Sequence, residues 1–280
     1  MYDYDYVHYS LYKEDFEPFF HPIVDVFTGK CIGAEVLARM VVSGEIVSSE
    51  KTYLAFLNSD RDQGMLTRLM IEKTKSIITE IPFPEGFVLT FNVPVNILGV
   101  DWLLSACQDL METCEHKLTL ILELTEYNRL MIHDNQLLNA AYQLKEEKIK
   151  LALDDYGIGH SNITLIQKIQ FDYIKIPKEF IKPLPFKKLE GKLIDNISHL
   201  ARTLNINIMA EGIENINQSQ YLISRGIALQ QGFYFSIPIS ASKLNDYLNK
   251  NIVHKSQFKK RYSNSVAFQR LTVNSIYSSI

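Results

Sequence analysis

Two adjacent carboxylates, Asp154 and Asp155, follow the short apolar segment 149–153. Neighbouring negative charges at the end of a buried strand repel each other, and a divalent cation between them removes the repulsion. A solvated turn in which Asp155 caps the following helix would explain the same pair without any ligand. The choice between a cation site and a turn depends on which other side chains lie nearby.

Six further predicted strands carry a polar residue at or near their carboxyl ends. These residues are Glu35, Asn92, Glu123 with Glu126, Lys175, Glu211 with Glu214, and Gln231. Some have ordinary structural explanations: a helix cap for Asn92, a helix-dipole partner for Glu214 and a hydrogen-bonded buried amide for Gln231. Together they form a set of oxygen ligands without clustered histidines or thiols, which suits Mg²⁺ or Mn²⁺ rather than zinc. Two adjacent aspartates suit a pair of such ions, which can activate water for the displacement of a phosphoryl group.

Lys175 lies inside the apolar segment Tyr173-Ile174-Lys175-Ile176. A lysine in the middle of a buried strand carries an uncompensated charge unless it faces carboxylates. Its structural role would be that of a counter-ion. Its functional role would be to orient a nucleophilic water or to neutralise the charge that develops on a phosphorane.

The elements that would position these residues form a regular series. Extended segments at 16–26 and 31–38, joined by a turn that contains Gly29, predict a β-hairpin. A loop with a short helix at 50–57 and a longer helix at 62–80 follow. Six strand–helix units are then predicted, with strands at 87–93, 117–124, 149–155, 171–176, 206–211 and 227–232 and helices at 95–114, 134–147, 161–168, 187–205, 215–225 and 240–250.

Eight strands, six of them followed by a helix, predict an α/β fold of the modified TIM (β/α)8 barrel type. The opening hairpin requires one strand to run antiparallel to the others. A doubly wound open sheet is the alternative, and it is disfavoured because no glycine-rich phosphate motif follows the first strand. In a barrel, the carboxyl ends of the parallel strands meet at one face, so the polar residues named above would converge there.

The composition of the 280 residues limits the classes of function. Hydrophobic residues make up 46%, enough for one large core or two small ones, and the net charge of −3 gives no reason to expect a nucleic-acid polymer or a membrane as partner. The three cysteines are too few for a disulfide framework, and neither a membrane-spanning run nor a signal peptide is apparent, so we expect a cytoplasmic protein. We divide the chain into a polar N-terminal arm at 1–15, a barrel domain at 16–250 and a C-terminal extension at 251–280.

Seven short motifs occur in the order and spacing of one known protein family. They are Glu35-Val36-Leu37-Ala38-Arg39, Phe91-Asn92-Val93-Pro94, Glu123-Leu124-Thr125-Glu126, Asp154-Asp155-Tyr156-Gly157-Ile158-Gly159, Tyr173-Ile174-Lys175-Ile176, Ala210-Glu211-Gly212-Ile213-Glu214 and Gln231-Gly232-Phe233. Over residues 16–248 the chain resembles the EAL-domain cyclic di-GMP phosphodiesterases. The resemblance implies a homodimeric modified TIM barrel that hydrolyses cyclic di-GMP to linear pGpG. It also implies two Mg²⁺ or Mn²⁺ ions per site and in-line attack of a metal-bound hydroxide.

The resemblance implies a role for individual residues. The metal ligands would be Glu35, Asn92, Glu123, Asp154 and Asp155, with the two aspartates serving the second ion. The catalytic set would be Glu35, Lys175, Glu211 and Gln231, of which the last three would hold the water and complete the site. The substrate would contact Arg39, Pro94, His21 and Glu214. Glu126 would anchor the loop after Asp155, which in this family also contributes to dimerisation.

The sequence departs from the family's pattern at positions that are not metal ligands. These are His21 in place of the usual glutamine, Met40 in place of a tryptophan, Ile158 and His160 in the loop, and Pro177 in place of an aspartate. The departures motivate an alternative function: a barrel without turnover that serves as a cyclic di-GMP receptor or a protein-interaction module. A third hypothesis, a metal-dependent enzyme similar to the enolases, is disfavoured by the adjacent aspartates and by the order of the motifs.

Overall fold

The computed structural model describes residues 4–42, 45–47, 53–57, 59–115, 117–125, 132–158 and 162–249. The strands are β1 Phe16–Asp25, β2 Lys30–Val42, β3 Glu45–Val47, β4 Phe87–Pro94, β5 Leu118–Thr125, β6 Lys150–Leu153, β7 Tyr173–Ile176, β8 Asn207–Ala210 and β9 Leu229–Gln230. The helices are α1 Tyr4–Tyr12, α2 Asp60–Ile78, α3 Asp101–Thr113, α4 Asp134–Glu146, α5 Asn162–Lys168, α6 Lys178–Ile181, α7 Lys188–Leu204, α8 Ile216–Ile223 and α9 Ala241–Leu248. The predictions for Glu126, His160 and residues 251–280 concern positions outside the described ranges.

Eight of these strands close into a barrel. From β2 through β4 and on to β9, each strand pairs in parallel with the next. Strand β1 pairs antiparallel with both β2 and β9, and this double pairing closes the ring. The predicted modified TIM barrel with one antiparallel strand is therefore confirmed, and the open sheet is excluded.

The interior of the barrel contains an apolar layer beneath a polar one. The apolar layer, which we call the apolar floor, consists of Ile23, Val88, Ile121, Ala152, Tyr173 and Met209. Side chains two positions apart on a strand point to the same side of the sheet. Two positions beyond the floor residues of β5 to β8 come Glu123, Asp154, Lys175 and Glu211. The strand period therefore places these four polar residues in one layer, closed on one side by apolar packing.

The helices cover the outside of the barrel with their apolar faces. On α3, Leu103, Cys107 and Leu110 recur at helical spacing and are buried. The helix predicted at 95–114 is divided, because a 3₁₀ turn at Val95–Ile97 is separated from α3 by Gly99 and the extended residue Val100. Among the helices of the described ranges, none has the length and apolar content needed to cross a bilayer.

The segment before β1 differs from the polar arm predicted from the sequence. Residues 4–12 form α1, and the side chains of Val7 and Leu11 are 0% and 3% exposed. Residues four positions apart share one face of a helix, so these two can pack together against the barrel. His8 also contacts α2, with its Nδ1 3.5 Å from Oδ1 of Asp62. The division of the chain at residue 15 stays a prediction.

Three further elements differ from the predictions. Strand β3 lies in the segment predicted as a loop, where it pairs antiparallel with the end of β2. Helix α6, after β7, was not predicted. Strand β6 ends at Leu153, so both Asp154 and Asp155 lie beyond the strand rather than inside it.

Candidate active site

The barrel strands bring most of the predicted site residues to one end of the barrel. Glu35 lies in β2, Asn92 in β4, Glu123 in β5 and Lys175 in β7, while Asp154, Glu211 and Gln231 directly follow β6, β8 and β9. Because these strands run parallel, their carboxyl ends share one face. Strand β1 enters the same site from the opposite direction and places His21 opposite Glu35.

Lys175 lies among four carboxylates that we call, with it, the acidic cluster. Its Nζ contacts Glu123 Oε2 and Glu211 Oε1 and lies 3.2 Å from Asp154 Oδ1 and 3.6 Å from Glu35 Oε1. Burial opposes the charged form of this lysine, whose side chain is 1% exposed, but the carboxylates raise its pKa well above the usual range. Lys175 is therefore a permanent cation that neutralises only part of the surrounding negative charge.

Two amides orient the carboxylate of Glu35. Asn92 Nδ2 donates to Oε1 at 2.8 Å, and Gln231 Nε2 donates to Oε2 at 3.1 Å. Gln231 Nε2 also donates to the carbonyl oxygen of His21 at 3.1 Å, which joins β9 to β1. Burial opposes ionisation of Glu35, but the charge of Lys175 and these hydrogen bonds outweigh it and lower the pKa to about 2. Glu35 is therefore an ionised carboxylate held in a fixed orientation.

The pKa values of Glu123 and Glu211 are raised, in contrast to that of Glu35. Burial and the neighbouring carboxylates raise the pKa of Glu123 well above its usual range and that of Glu211 to about 8, although Lys175 acts against both shifts. Oε1 of Glu123 is also buried without a hydrogen-bond partner among the described residues. A buried acceptor without a donor is costly. Both observations show that this part of the cluster can accept a further positive charge.

The geometry fits a hard divalent cation. One carboxylate oxygen each from Glu35, Glu123 and Glu211 lie within 4.8 Å of one another. All are oxygen donors, and such sets favour hard metal ions over zinc or copper. A cation at this position would satisfy the unpaired oxygen of Glu123 and replace protons on the two carboxyls of raised pKa.

Asp155 lies beside the cluster with an exposed side chain and a left-handed backbone, φ 46°. Although Asp155 is exposed, the neighbouring protein removes part of the hydration of its carboxyl, and this desolvation and the charge of Asp154 raise the pKa to about 6. The alternative in which Asp155 caps the next helix is wrong, because residues 156–158 form a turn and not the first turn of a helix. A second ion next to Asp154 would remove the repulsion that raises this pKa.

Two of the predicted substrate-binding residues are buried and a third is exposed. Arg39 and Pro94 are both buried, and Nη1 of Arg39 donates to the carbonyl oxygen of Ala38 at 2.8 Å. Glu214 is exposed and does not belong to the acidic cluster, since the carboxylates around Lys175 come from other residues. The structure thus brings Glu214 to the same face of the barrel without bringing it into the cluster.

His21 is held by the segment that follows β9. Its Nε2 lies 3.1 Å from the carbonyl oxygen of Ser236. Burial lowers the pKa of His21 despite the nearby charge of Glu35. A neutral imidazole next to a carbonyl must carry its proton on Nε2, so Nδ1 is left as an acceptor. No local pattern indicates the contact with Ser236, because it joins residues more than 200 positions apart.

Thr67 also supports the site and was not found from the sequence. Its Oγ1, on α2, donates to the carbonyl oxygen of Asn92 at 3.0 Å. The bond fixes the backbone of β4 at the residue whose side chain orients Glu35. This role could not be predicted from the sequence, because a threonine inside an amphipathic helix is common and the hydrogen-bond partner of Thr67 lies on another element.

The comparisons with known proteins agree with this geometry. The model of the EAL domain family matches residues 7–238. The cyclic di-GMP phosphodiesterase PdeL of Escherichia coli (strain K12) is 28% identical over 238 residues, which cover 84% of this chain and 65% of PdeL. The probable cyclic di-GMP phosphodiesterase PdeG of the same organism is 30% identical over 234 residues, which cover 80% of this chain and 44% of PdeG. The chain therefore spans about half to two thirds of the length of these relatives.

A solved structure shows the same fold. The EAL enzyme Bd1971, in a form with bound cAMP and cyclic di-GMP, superimposes with a TM-score of 0.76 at 21% identity, covering 88% of this chain and 68% of that one. The family match includes every strand of the barrel, from β1 to β9. The chain belongs to the EAL domain family.

Proposed function

We propose that this chain hydrolyses cyclic di-GMP to linear pGpG with the help of two Mg²⁺ or Mn²⁺ ions. The acidic cluster is the observation that supports the proposal most directly, because it combines four carboxylates with one buried ammonium. The relatives PdeL and PdeG, named as a cyclic di-GMP phosphodiesterase and a probable one, support the choice of substrate.

In this proposal the protein supplies the ligands for both ions. Glu35, Asn92, Glu123 and Asp154 would hold the first ion, and Asp154 with Asp155 would hold the second. Bound ions of this kind lower the pKa of water and neutralise charge on the oxygens of a phosphodiester. The unpaired oxygen of Glu123 supports the first position, and the repulsion between the two aspartates supports the second.

Lys175, Glu211 and Gln231 would act on the water and on the developing charge. The ammonium of Lys175 is fixed by its carboxylate partners and shielded from solvent, so it can neutralise negative charge on the phosphoryl group without rearrangement. Glu211, in contact with Lys175, would accept a hydrogen bond from the water. Gln231 would keep Glu35 oriented through its 3.1 Å hydrogen bond.

The rim of the site offers groups that match the substrate. Cyclic di-GMP carries two phosphodiester charges and two purine bases. Arg39 would pair with one phosphate, since guanidinium groups bind phosphate oxygens well. Phe233 and Tyr234, which follow Gln231, are 65% and 42% exposed and present rings on which a base could stack. Pro94, His21 and Glu214 would line the rest of the substrate site.

Two further expectations belong to the same proposal. We expect a homodimer, in which the loop after Asp155 contributes to the interface, and a cytoplasmic location. Sedimentation of the purified chain at several concentrations tests the first expectation. A chain that stays monomeric at every concentration would contradict it.

The experiment that tests the function follows pGpG by chromatography after purified protein is mixed with cyclic di-GMP and Mg²⁺ or Mn²⁺. We expect product with metal, none in EDTA and none with Glu35→Gln. Glu72→Gln is the matched control, because Glu72 pairs with Arg68 on the surface of α2 and is half exposed. Product formation at full rate in EDTA would refute the proposal. Tight binding without product would identify a receptor instead.

A further inference from the structure

Gln218 is a buried amide between two loops of the active-site face. It lies on α8, at the third helical position, and is 2% exposed. The loop before α8 begins with Glu211, and the segment on its other side follows β7, which carries Lys175. The hydrogen bonds of the Gln218 side chain do not reach the acidic cluster, so this residue has no direct role in a phosphodiesterase site.

The side chain of Gln218 uses both of its functional groups. Oε1 accepts from the backbone N–H groups of Glu214 at 2.8 Å and Asn215 at 3.2 Å. Nε2 donates to the carbonyl oxygens of Ile181 and Lys182, both at 3.3 Å. An amide offers two donors and two acceptor positions, so all four are occupied.

These four partners are groups that helix ends leave unpaired. The Oε1 half satisfies donors at the start of α8, where Asn215 completes a capping box with Gln218. The Nε2 half satisfies acceptors at the end of the short helix α6. Only the Nε2 half therefore connects the loop after β8 with the segment after β7.

The loop after β8 also contacts the β7 segment near its own beginning. Gly212 has φ 66°, and a Cβ built on it would lie 2.3 Å from Cβ of Lys178, the first residue of α6. The backbone N–H of Glu211 donates to the carbonyl oxygen of Ile176 at 3.0 Å. The loop after β8 is thus in contact with the β7 segment at both its beginning and, through Gln218, its end.

We propose that Gln218 is a positioning residue that fastens the loop carrying Glu211 to the segment following Lys175. The contact between Glu211 Oε1 and Lys175 Nζ depends on the pairing of β7 with β8 at the start of the loop and on the position of the far end of the loop. Gln218 fixes that position through its Nε2, and so keeps Glu211 available to the cation site. The consequence for turnover rests on the function proposed above, whereas the connection between the loops does not.

The two halves of the amide can be separated by substitution. Gln218→Glu keeps an acceptor for the α8 donors but places an oxygen opposite two carbonyl oxygens, so it removes the connection and adds repulsion. Gln218→Asn is a milder variant, too short to reach both loops at once. Asn215→Ala is the matched control: it removes the acceptor of the Asn217 and Gln218 N–H groups on the same helix end and leaves the Nε2 bonds intact.

The experiment measures hydrogen exchange and Mn²⁺ binding in the full chain, with thermal unfolding to verify that each variant is folded. We expect amides of residues 178–184 to exchange at least tenfold faster in Gln218→Glu, with a smaller change in Gln218→Asn and none in Asn215→Ala. Calorimetry should show Mn²⁺ affinity about tenfold weaker in Gln218→Glu and within twofold of the unchanged chain in Asn215→Ala.

The outcomes separate this inference from the proposed function. Wild-type exchange at 178–184 in Gln218→Glu, or equal effects of Gln218→Glu and Asn215→Ala, would overturn the role of Gln218. A wild-type chain that binds no Mn²⁺ and forms no pGpG would overturn the proposed function, while the exchange result would still decide whether Gln218 connects the loops. Faster exchange together with weaker Mn²⁺ binding, confined to the Gln218 variants, supports the inference.

Discussion

Replacing Lys175 with methionine should destabilise the metal-free protein and make its stability depend on divalent cations. The lysine Nζ lies 3.2 Å from Asp154 Oδ1 and 3.6 Å from Glu35 Oε1. At an effective dielectric constant of about 20, each of these pairs is worth about 5 kcal/mol before the loss of hydration is subtracted. Removing one partner of a buried ion pair typically costs about 3–5 kcal/mol. We expect a loss of that size for Lys175→Met in EDTA.

The assay is urea unfolding of Lys175→Met with EDTA and with Mn²⁺. A cation that binds only the folded state adds about 2.7 kcal/mol at a concentration 100 times its dissociation constant. Mn²⁺ should recover more stability in the variant than in the unchanged chain, because it no longer competes with the ammonium. The variant should nevertheless form no pGpG. Lys168→Met is the control, since Lys168 pairs with Asp134 at the surface and its loss should cost less than about 1 kcal/mol.

A second substitution tests the cause of the loss. Adding Glu123→Gln to Lys175→Met removes a buried carboxyl that, without its counter-ion, must take up a proton on folding, so the double variant should regain about 1–3 kcal/mol in EDTA. If Lys175→Met were within about 1 kcal/mol of the unchanged chain, the description of Lys175 as the counter-ion of the cluster would be refuted. Failure of Glu123→Gln to restore stability would refute it as well.

The remaining predictions concern positions outside the acidic cluster. Leu11→Ala should cost about 2–5 kcal/mol because this side chain of α1 is buried, while Tyr9→Ala, at an exposed position, should cost less than about 0.5 kcal/mol; equal effects in urea unfolding would mean that α1 is not packed on the barrel. Gly232→Ala should cost more than about 2 kcal/mol, since φ is 153° and the new Cβ would lie 2.3 Å from the backbone of Ile213, whereas Gly86→Ala meets no atom and should cost only about 1 kcal/mol of backbone strain. Burial raises the pKa of Cys107 to about 12, so its thiol keeps its proton in the folded state while the unfolded thiol ionises near about 8.5, and stability falls as pH rises through that window. The stability advantage of the unchanged chain over Cys107→Ala should therefore shrink by about 1–2 kcal/mol from pH 8 to pH 10, and an unchanged difference would contradict this reasoning.

Much of the fold could be predicted because the information is local. Strands such as β4 and β5 are continuous apolar segments, and helices such as α3 show helical spacing of buried residues. Two extended segments joined by a turn predicted the hairpin of β1 and β2, and a hairpin requires one of its strands to run antiparallel to the other. The counting of strand–helix units then predicted closure, since eight strands suffice for a barrel.

The misses have physical causes. Helix α1 was hidden by its four tyrosines and by Asp5, although Val7 and Leu11 lie four positions apart, which was the available signal. Strand β9 has only the two residues Leu229–Gln230, so its extent is set by pairing with β1 and β8 and not by its own sequence. The capping box of Asn215 and Gln218 could have been predicted from their spacing, but the bonds from Gln218 to α6 depend on a loop packed from elsewhere in the chain.

The site itself shows why residue type alone does not determine chemistry. Glu35 and Glu211 are both glutamates beside Lys175, yet the pKa of the first is about 2 and that of the second about 8. The difference arises because two amide donors hold the carboxylate of Glu35, whereas burial and the charges of Asp154 and Glu35 dominate around Glu211. The carboxylate of Glu35 is therefore ionised without any cation, whereas Glu211 would give up a proton if a cation bound next to it. Asn92 and Gln231 contribute to this difference together with the charge of Lys175, so the two amides help to determine which carboxylate of the cluster is ionised.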